Sequence, residues 1–334
     1  MRLDRWFRAH FPELGHGRLE KLLRTGQIRL DGKRVRANAR LEAGQSVRIP
    51  PLGPAQPPAA VQRERASRSE ADLLSAADRA WLERAVLYRD DDILALDKPA
   101  GLAVQGGSGQ TRHLDAMLGA LRFEASEAPR LVHRLDKDTS GVLVLGRSRR
   151  AARALTEAFR ENAVEKTYWA AVLGVPQKAV GLIDLPLSKG LGGAGERMLP
   201  AEEAGKPALS LYALAAGAGR KAAWLLLRPL TGRTHQLRVH CLALGHPILG
   251  DGKYGGREVF PRGLSGLKRV QLHAREIALP HPRDGTTVRI QAPLAADMAG
   301  TWRALGFDEA AGEALGETAL ARYIESTPRS RLTV

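Results

Sequence analysis

Residues 131–145 read LVHRLDKDTSGVLVL, and the charged centre of this stretch lies between two apolar runs. The second run, VLVL (142–145), is typical of a buried strand. The stretch therefore predicts a loop that holds Asp136 close to cations at the edge of a partly dry site. A paired cation opposes the rise in carboxylate pKa that burial causes, so such an Asp can act as a nucleophile or base at neutral pH. An Arg-Leu-Asp string is more often a surface ion pair, and only the surrounding sequence separates the two interpretations.

Strand-like segments are spread along the chain around this loop. They are ILAL (93–96), VLVL (142–145), TYWAAVL (167–173), AAWLLL (222–227) and TVRI (287–290). The segment SRRAARALTEAFRE (148–161) predicts a helix, with Ser148 as the N-cap and Ala152, Leu155 and Phe159 on one face. Strands and helices do not alternate regularly. We therefore predict an α+β fold with a mixed, mostly antiparallel central sheet and flanking helices.

The composition favours a polyanionic partner. The 334 residues include 51 Lys and Arg against 36 Asp and Glu, which gives a formal charge of +15. Such a surplus attracts nucleic acid, and no amphipathic basic helix with exposed aromatics suggests a lipid surface. A single cysteine, Cys241, excludes an intrachain disulfide and fits a reducing compartment. With no secretory signal and no apolar run of about 18 residues, we expect a cytoplasmic protein without a membrane partner.

Residues 1–50 are strongly basic, with twelve Arg and Lys against five Asp and Glu. Leu19, Leu22 and Leu23 predict a helix that stops at Gly26, and Asp31-Gly32 predicts a hairpin turn followed by one more strand. The segments RLEKLLRTGQIRLDGKRV (18–35) and LEAGQSVRIP (41–50) resemble the S4 RNA-binding domain, a small α/β domain. The resemblance implies RNA contacts from the basic residues Arg18, Lys21, Arg24, Arg29, Lys33 and Arg34. The alternative is a solvated basic surface that binds nothing.

The rest of the chain divides into three parts by composition. Residues 51–79 are rich in Pro, Ala and Arg and predict a linker. We expect a catalytic domain over 80–310, followed by a C-terminal helix and basic tail over 311–334.

Three long segments in order carry a second resemblance. They are HRLDKDTSG (133–141), EKTYWAAVLG (165–174) and RPLTGRTHQLRVHCLALGHPILGDGKYG (228–255), with LALDKPAGLAV (94–104) and LHAREIALPHP (272–282) in supporting positions. Together they resemble the RluA-type pseudouridine synthases, which isomerise uridine to pseudouridine in RNA. The resemblance covers residues from about 86 to 295 and implies the pseudouridine-synthase fold.

The resemblance assigns roles to four residues. Asp136 matches the catalytic aspartate, and Arg238 matches the basic residue that pairs with it. Tyr168 matches the aromatic residue that lies against the target uracil. Arg134 matches the residue that fills the gap left by a flipped base. We also expect RNA contacts at this site from His133, Arg233 and His235.

Local patterns add to these assignments. Asp138 is expected to be a surface or loop-capping residue. THQLRVHCLALG predicts a helix with Thr234 near its start, Gly245 past its end, and Arg238 at the edge of an apolar stripe, able to reach a cleft without being buried. In a strand, Tyr168 lies opposite Trp169, so that Tyr168 can line a cleft while Trp169 packs in the core.

The implied reaction breaks the N1–C1′ bond, turns the base over and joins C5 to C1′. It needs no redox change and no water, so no cofactor is expected. The spacing of His235 and His240 also does not suit a metal pair on a helix. The carboxylate either attacks C1′ or removes a proton from C2′, and both routes stay open.

The expected substrate is large-subunit (23S-type) ribosomal RNA or its precursor particle, with no obligate protein partner. GKPALSLYALAA (205–216) adds a likeness to members of the family that act near the peptidyl-transferase region. Other rRNA sites or another structured RNA are alternatives. A non-catalytic RNA-binding or assembly factor, and a carboxylate-dependent hydrolase, are rivals from other classes.

Overall fold

The computed structural model describes residues 1–11, 14, 16–52, 74–106, 112–190, 197–201, 205–264 and 267–333. The chain divides into two compact units, Met1–Asp72 and Leu73–Val334. Residues 53–73, which make up most of the predicted linker, lie outside the described residues.

The described residues of the smaller unit form two helices and a small antiparallel sheet. Its elements are α1 (Leu3–His10), α2 (His16–Arg24), β1 (Arg29–Leu30), β2 (Lys33–Arg34) and β3 (Val47–Arg48), with strand order β2-β1-β3. Asp31 and Gly32 both have positive φ, 49° and 76°, as a tight hairpin turn with the twist of the strands requires. Leu3, Phe7 and Ile28 form the buried core together with the α2 face. The predicted helix, hairpin and third strand are confirmed.

The larger unit contains the remaining helices and strands. Its helices are α3 (Ala76–Arg84), α4 (Leu114–Met117), α5 (Arg149–Arg160), α6 (Gln236–Ala243), α7 (Gly252–Gly255), α8 (Ala296–Leu305), α9 (Glu309–Ser326) and α10 (Arg329–Leu332). Its first strands are β4 (Val86–Arg89), β5 (Ile93–Lys98), β6 (Arg130–Leu131), β7 (Ser140–Gly146), β8 (Glu165–Leu173) and β9 (Val180–Asp184). The others are β10 (Leu187–Lys189), β11 (Met198–Pro200), β12 (Leu209–Ala218), β13 (Ala222–Pro229), β14 (Leu272–Pro280) and β15 (Thr287–Gln291). A 3₁₀ turn over Leu118–Leu121 follows α4 directly.

Ten of the described strands form one sheet in the order β4-β5-β7-β14-β8-β13-β12-β9, with β6 on β7 and β15 on β14. Within the described sheet only the β7 and β14 pair is parallel. All five predicted strands are present, and the prediction of a mixed, mostly antiparallel sheet is confirmed. Strands β10 and β11 form a separate antiparallel hairpin.

Alternation along β7 divides the core into two layers. Val142 and Val144 pack with Leu155 of α5, whereas Leu143 and Leu145 pack on the opposite face, which α3 and α4 cover. Because successive strand residues point to opposite faces, the fully buried VLVL run needs a layer on each side. The predicted helix over 148–161 is confirmed as α5, with the Ser148 hydroxyl accepting the N–H of Ala151.

Two predicted boundaries differ from the structure. Helix α3 begins at Ala76, inside the segment assigned to the linker, because Ser75 caps it by accepting the N–H of Asp78. Helix α9 begins at Glu309, two residues before the expected boundary, and is capped by Asp308. It contacts β12 and β13. Gly312 and Gly316 face Trp224 and Leu226 so closely that a β-carbon would not fit. The C-terminal helix is therefore docked on the sheet of the larger unit.

Candidate active site

The loop between β6 and β7 carries Asp136, and His133 fixes its first half. Strand β6 ends at Leu131, and beyond it the imidazole Nε2 of His133 accepts the N–H of Val144 at 2.8 Å. The ring also stacks on Phe159 at 4.5 Å. Burial lowers the pKa of His133 to about 3, and the charge of Lys166 acts in the same direction. His133 is therefore a neutral acceptor that anchors the loop, and its expected contact with RNA stays a prediction.

Lys98 fixes the second half of the loop. Its side chain is buried, and the ammonium donates to the carbonyl oxygens of Pro99, Leu102 and Lys137 at 2.8–3.1 Å. Burial lowers the pKa of Lys98 to about 7, while Asp138 and Asp136 oppose this shift. Since three carbonyls use all three ammonium hydrogens, the geometry holds the charged form. Lys98 thus ties the Asp136 loop to β5.

Gly141, at the end of the HRLDKDTSG motif, allows β7 to approach β14. Its φ is +106°, and a β-carbon there would lie 2.2 Å from the carbonyl oxygen of Ala274. Only glycine fits both the backbone angle and the space. Ser140 beside it hydrogen-bonds His273 at 2.9 Å and accepts from Arg269. These contacts determine where the loop emerges from the sheet.

A cleft of about 970 Å³ opens above this loop. Its described lining comes from residues 103–106, the Asp136 loop, the end of α5, strand β8, residues 229–238 and Leu272. Among the described lining residues Asp136 is the only carboxylate, and the cations are Arg134, Lys137, Arg160, Lys166, Arg233 and Arg238. Asp138 is not among them, which agrees with its expected role outside the site. A cleft with this charge balance suits a polyanion.

Asp136 lies at the electrostatic centre of the cleft. Its charge acts on the groups Lys98, Tyr168, His235, Arg238 and Tyr254. The structure therefore brings together Asp136, Tyr168 and Arg238, which come from three separate motifs. Arg134 lines the same cleft with an exposed side chain that has no hydrogen bond or ion pair among the described residues.

Tyr168 lines the cleft while its neighbour Trp169 is fully buried, as strand alternation predicts. Burial and, secondly, the nearby Asp136 carboxylate raise the pKa of Tyr168 above its usual range. The phenol is therefore protonated at neutral pH. Trp169 packs with Trp224 and Trp302 on the other side of the sheet.

Arg238 differs from its prediction in two ways. Its residue is only 4% exposed, and its guanidinium makes two hydrogen bonds of 2.7 Å to Asp251 rather than a direct pair with Asp136. Burial lowers the pKa of Arg238, but the hydrogen bonds and charge of Asp251 outweigh burial and raise it. Arg238 lies on the inward face of helix α6. There it meets the carboxylate of Asp251, the residue that caps α7. Arg238 therefore acts on Asp136 through its charge.

The segment before Arg238 is fixed by its own side chains. The Gln236 amide donates to Leu209 and Ser210, and its oxygen accepts from Thr231 and from the N–H of Arg233. The Arg233 guanidinium donates to the carbonyl of Pro207. Leu237 and Cys241 pack in the core with Leu244, as predicted.

The ends of helix α6 match the prediction. Gly245 lies past its C-terminal end with φ +84°. Thr234 lies just before its start, where His235 is the N-cap and has a left-handed backbone with φ 53°.

Sequence reasoning missed four residues around the cleft: Lys98, Lys166, Asp251 and Tyr254. All lie inside the quoted motifs, but nothing in the residue pattern indicated their partners. Lys166 lies on β8 two residues before Tyr168, and burial lowers its pKa. Its ammonium has no hydrogen-bond or ion-pair partner in the described part of the chain. It is therefore a further free cation in the cleft.

The basic residues of the smaller unit are only partly brought together. Lys21, Arg24 and Arg34 line a groove of about 740 Å³ with Arg2 and Arg36. Arg29 instead donates to the carbonyls of Gly26 and Gly32, and Arg18 donates to that of Leu52. Lys33 is exposed outside the groove.

No group of three His, Cys, Asp or Glu residues with metal-binding geometry occurs in the part of the chain that the structure describes. His235 and His240 are hydrogen-bonded to Tyr254 and Ser210. None of the described helices is long and apolar enough to cross a membrane.

On this mixed sheet, the described residues of the cleft present one carboxylate among cations with an aromatic side chain beside it, an arrangement that suits an enzyme acting on a polyanionic substrate. A family model described as RNA pseudouridylate synthase matches residues 92–243. Ribosomal large subunit pseudouridine synthase C of Salmonella typhimurium is 40% identical over 299 residues, which cover 88% of this chain and 89% of that protein. The Escherichia coli protein of the same name gives the same identity and coverage, and that of Yersinia pestis is 38% identical over 88% of each chain.

A solved structure, Human RNA Pseudouridylate Synthase Domain Containing 4, aligns with a TM-score of 0.58 at 26% identity, covering 75% of this chain and 98% of that one. The chain belongs to the RNA pseudouridylate synthase family and is an RNA-modifying isomerase.

Proposed function

We propose that this enzyme converts specific uridines of large-subunit ribosomal RNA to pseudouridine in the cytoplasm, with Asp136 as its catalytic residue. The observation that carries the proposal is the position of Asp136, the only carboxylate among the described lining residues of a cationic cleft and close to Tyr168 and Arg238. The relatives that cover most of this chain are named for the ribosomal large subunit. Their name supports rRNA as the substrate.

In the proposed mechanism, the target uridine leaves its stack and enters the cleft. Eversion costs a few kcal/mol, and two side chains offset this cost. Arg134, exposed and without a partner among the described residues, fills the space that the base leaves, and the ring of Tyr168, whose hydroxyl is protonated, lies against the uracil. Stacking on an aromatic side chain is worth about 1–3 kcal/mol per base.

Asp136 then acts at the ribose of the everted nucleotide. Its carboxylate attacks C1′ or takes the proton from C2′, the N1–C1′ bond breaks, and the detached uracil turns. C5 then bonds to C1′; on the first route this releases the Asp136 carboxylate from C1′, and on the second Asp136 returns its proton to C2′. C5 loses its hydrogen and N1 gains one, so no water or redox partner is consumed. Arg238, held by Asp251, supplies a fixed positive charge near the reacting carboxylate.

The smaller unit serves in this proposal as an S4-type RNA anchor. Its groove joins the cations Lys21, Arg24 and Arg34, and its hairpin presents Lys33 to solvent. A tethered second anchor raises the effective concentration of RNA at the cleft without changing the chemistry there. Binding through phosphates should weaken as salt rises.

Asp136→Asn tests the assignment against a matched variant two residues further along the chain, Asp138→Asn. The first removes the carboxylate from the cleft, and the second removes one outside it. We expect Asp136→Asn to abolish pseudouridine formation and to bind rRNA within about twofold of wild type, because only one charge of a cationic cleft changes. Asp138→Asn should retain activity.

Chemical labelling of pseudouridine in rRNA from a deletion strain complemented with each variant measures both the activity and the target positions. Turnover by Asp136→Asn would refute the catalytic assignment. If the deletion strain keeps every pseudouridine of its large-subunit rRNA, this rRNA is not the substrate. Release of free uracil would indicate a hydrolase instead.

A further inference from the structure

The Tyr254 hydroxyl group connects strand β11 to His235 at the start of helix α6. The hydroxyl oxygen lies 3.0 Å from the backbone nitrogen of Met198, which donates to it, and 2.8 Å from Nδ1 of His235. Among the described residues the hydroxyl hydrogen has no other acceptor. The phenol oxygen could accept a second hydrogen bond, from an Nδ1–H of His235, but the phenol hydrogen would then have no acceptor in the described part of the chain. We therefore assign the Tyr254 hydrogen to Nδ1 of His235.

This hydrogen bond decides the tautomer of His235. An imidazole whose Nδ1 accepts a hydrogen bond carries its own hydrogen on Nε2. Burial, the first cause, lowers the pKa of His235, with Arg238 and Lys253 acting in the same direction and Asp136 and Asp251 opposing them. The ring is therefore a neutral Nε2–H donor at physiological pH.

The Nε2–H group has no acceptor among the described residues, although His235 lines the cleft and is within electrostatic range of Asp136. The backbone of His235 is also unusual. It has φ 53° at the start of α6 without a side-chain capping bond, a conformation in which Asn is more common than His. A strained residue with an unused donor in a cleft suggests a role in binding.

We propose that His235 donates its Nε2–H to a carbonyl oxygen of the everted uracil, and that Tyr254 is a positioning residue that holds this tautomer. The proposal rests on the proposed function. A neutral single donor suits a base edge better than a phosphate, for which the described lining of the cleft includes six cations. Uracil presents carbonyl acceptors on its edge, whereas cytosine presents an amino donor in place of O4.

Two substitutions of His235 separate this contact from a purely structural role. In His235→Gln the amide nitrogen reaches the place of Nε2, and in His235→Asn it reaches only the place of Nδ1. The left-handed backbone, in contrast, favours Asn. If the Nε2–H donor matters, single-turnover pseudouridine formation should fall about tenfold in His235→Gln and about a hundredfold in His235→Asn. An Asn variant at least as active as the Gln variant would overturn the proposal.

The tautomer itself can be measured on the wild-type protein without RNA. Long-range ¹H–¹⁵N NMR of histidine-labelled protein should show His235 with a protonated Nε2 and an unprotonated Nδ1 at pH 7. In Tyr254→Phe, which keeps the ring but removes the hydroxyl, the signals should move towards a mixture of tautomers, and the rate should fall several-fold. A wild-type ring protonated on Nδ1 would overturn the proposal.

The proposed function and the contact between His235 and uracil can be refuted separately. If the wild-type protein forms no pseudouridine in any RNA, the proposed function is wrong and the uracil contact is overturned with it. If the wild type is active and His235→Asn matches or exceeds His235→Gln, only the contact is wrong.

Discussion

The two walls of the cleft are built in opposite ways. The Asp136 loop is held through its backbone: the Lys98 ammonium binds the Lys137 carbonyl, and Gly141 lets the chain reach β14. The facing segment, residues 231–238, is held through its side chains, since the Gln236 amide and the Arg238 guanidinium form hydrogen bonds inside the protein. One wall therefore leaves charged side chains available to substrate. The other uses its side chains to give the site a fixed shape.

This difference indicates which substitutions should affect folding and which should affect only the reaction. Arg134 and Arg238 are both cleft arginines, but the first is exposed and unpaired in the described structure, and the second is 4% exposed and paired twice with Asp251. The same residue type serves substrate binding on one wall and the architecture of the site on the other.

The largest effect is expected from a substitution in residues 231–238, the wall that is held through its side chains. Arg238→Met leaves the Asp251 carboxylate buried and unpaired, which should lower the free energy of unfolding by about 3–5 kcal/mol. Replacing both partners, Arg238→Met with Asp251→Leu, should restore most of this loss but not the activity, because the charge near Asp136 is still missing. Urea denaturation followed by tryptophan fluorescence and a pseudouridine assay check both statements.

The pair of the exposed Arg289 and the half-buried Glu276 is the control for this prediction. Arg289→Met should cost less than about 1 kcal/mol. Equal losses for the two single substitutions would show that burial of the Arg238 pair does not matter.

In the Asp136 loop, the wall that is held through its backbone, Gly141 is expected to be the position most sensitive to substitution. In Gly141→Ala the new β-carbon meets the Ala274 carbonyl in addition to an unfavourable φ, and we expect a loss of about 3 kcal/mol together with reduced turnover as the loop shifts. Gly219→Ala is the matched control, since Gly219 has φ +57° but nothing within 4 Å. It should cost only about 1–2 kcal/mol. Thermal melts of the two variants measure the difference, and equal melting temperatures would contradict the close approach.

Asp97 makes the stability of the folded protein depend on pH. It precedes Lys98 on β5, and burial raises the pKa of Asp97 to about 6 against the opposing charges of Lys98 and Arg269. The folded state then binds this proton more tightly than the unfolded state, so stability falls as pH rises between about 4 and 6. Asp97→Asn should be more stable than wild type above pH 6, by about 2 kcal/mol, and the gap should close near pH 4. Melting temperatures between pH 4 and 8 test this sign, and a constant gap would refute it.

The smallest effect on folding is expected at Arg134. Arg134→Gln should leave stability within about 0.5 kcal/mol of wild type but weaken rRNA binding roughly tenfold, since a planar stacking group is lost. Arg134→Lys keeps the charge without the plane. If Arg134 inserts into the RNA, the Lys variant should bind as weakly as the Gln variant in a filter-binding titration. Full affinity in the Lys variant would indicate a phosphate contact instead.

Much of the fold followed from local pattern. The alternation of VLVL, the cap at Ser148 and the Asp31-Gly32 turn each act within a few residues, so their physics is visible in the sequence. The same holds for Tyr168 and Trp169, which point to opposite faces because they are neighbours in one strand. Helix α3 was missed because its Ser75 cap adjoins a segment with the composition of a linker.

Partners that are distant along the chain were not predictable in this way. Arg238 was expected at the rim of the cleft and beside Asp136, yet a short helix 13 residues later brings Asp251 to it and draws it into the interior. Tyr254 meets His235 and Met198 only because β11, α6 and α7 converge. Motif order identified the family but gave none of these pairings.

By itself, the sequence determined the class of fold, the family and the residues that carry the charge of the cleft, because motifs, alternation and caps depend on neighbours along the chain. Only the tertiary structure decided which cations are free and which are bound, which tautomer His235 holds, and how the Asp136 loop is supported. These properties depend on burial and on hydrogen bonds between distant segments, and both arise only when the sheet assembles.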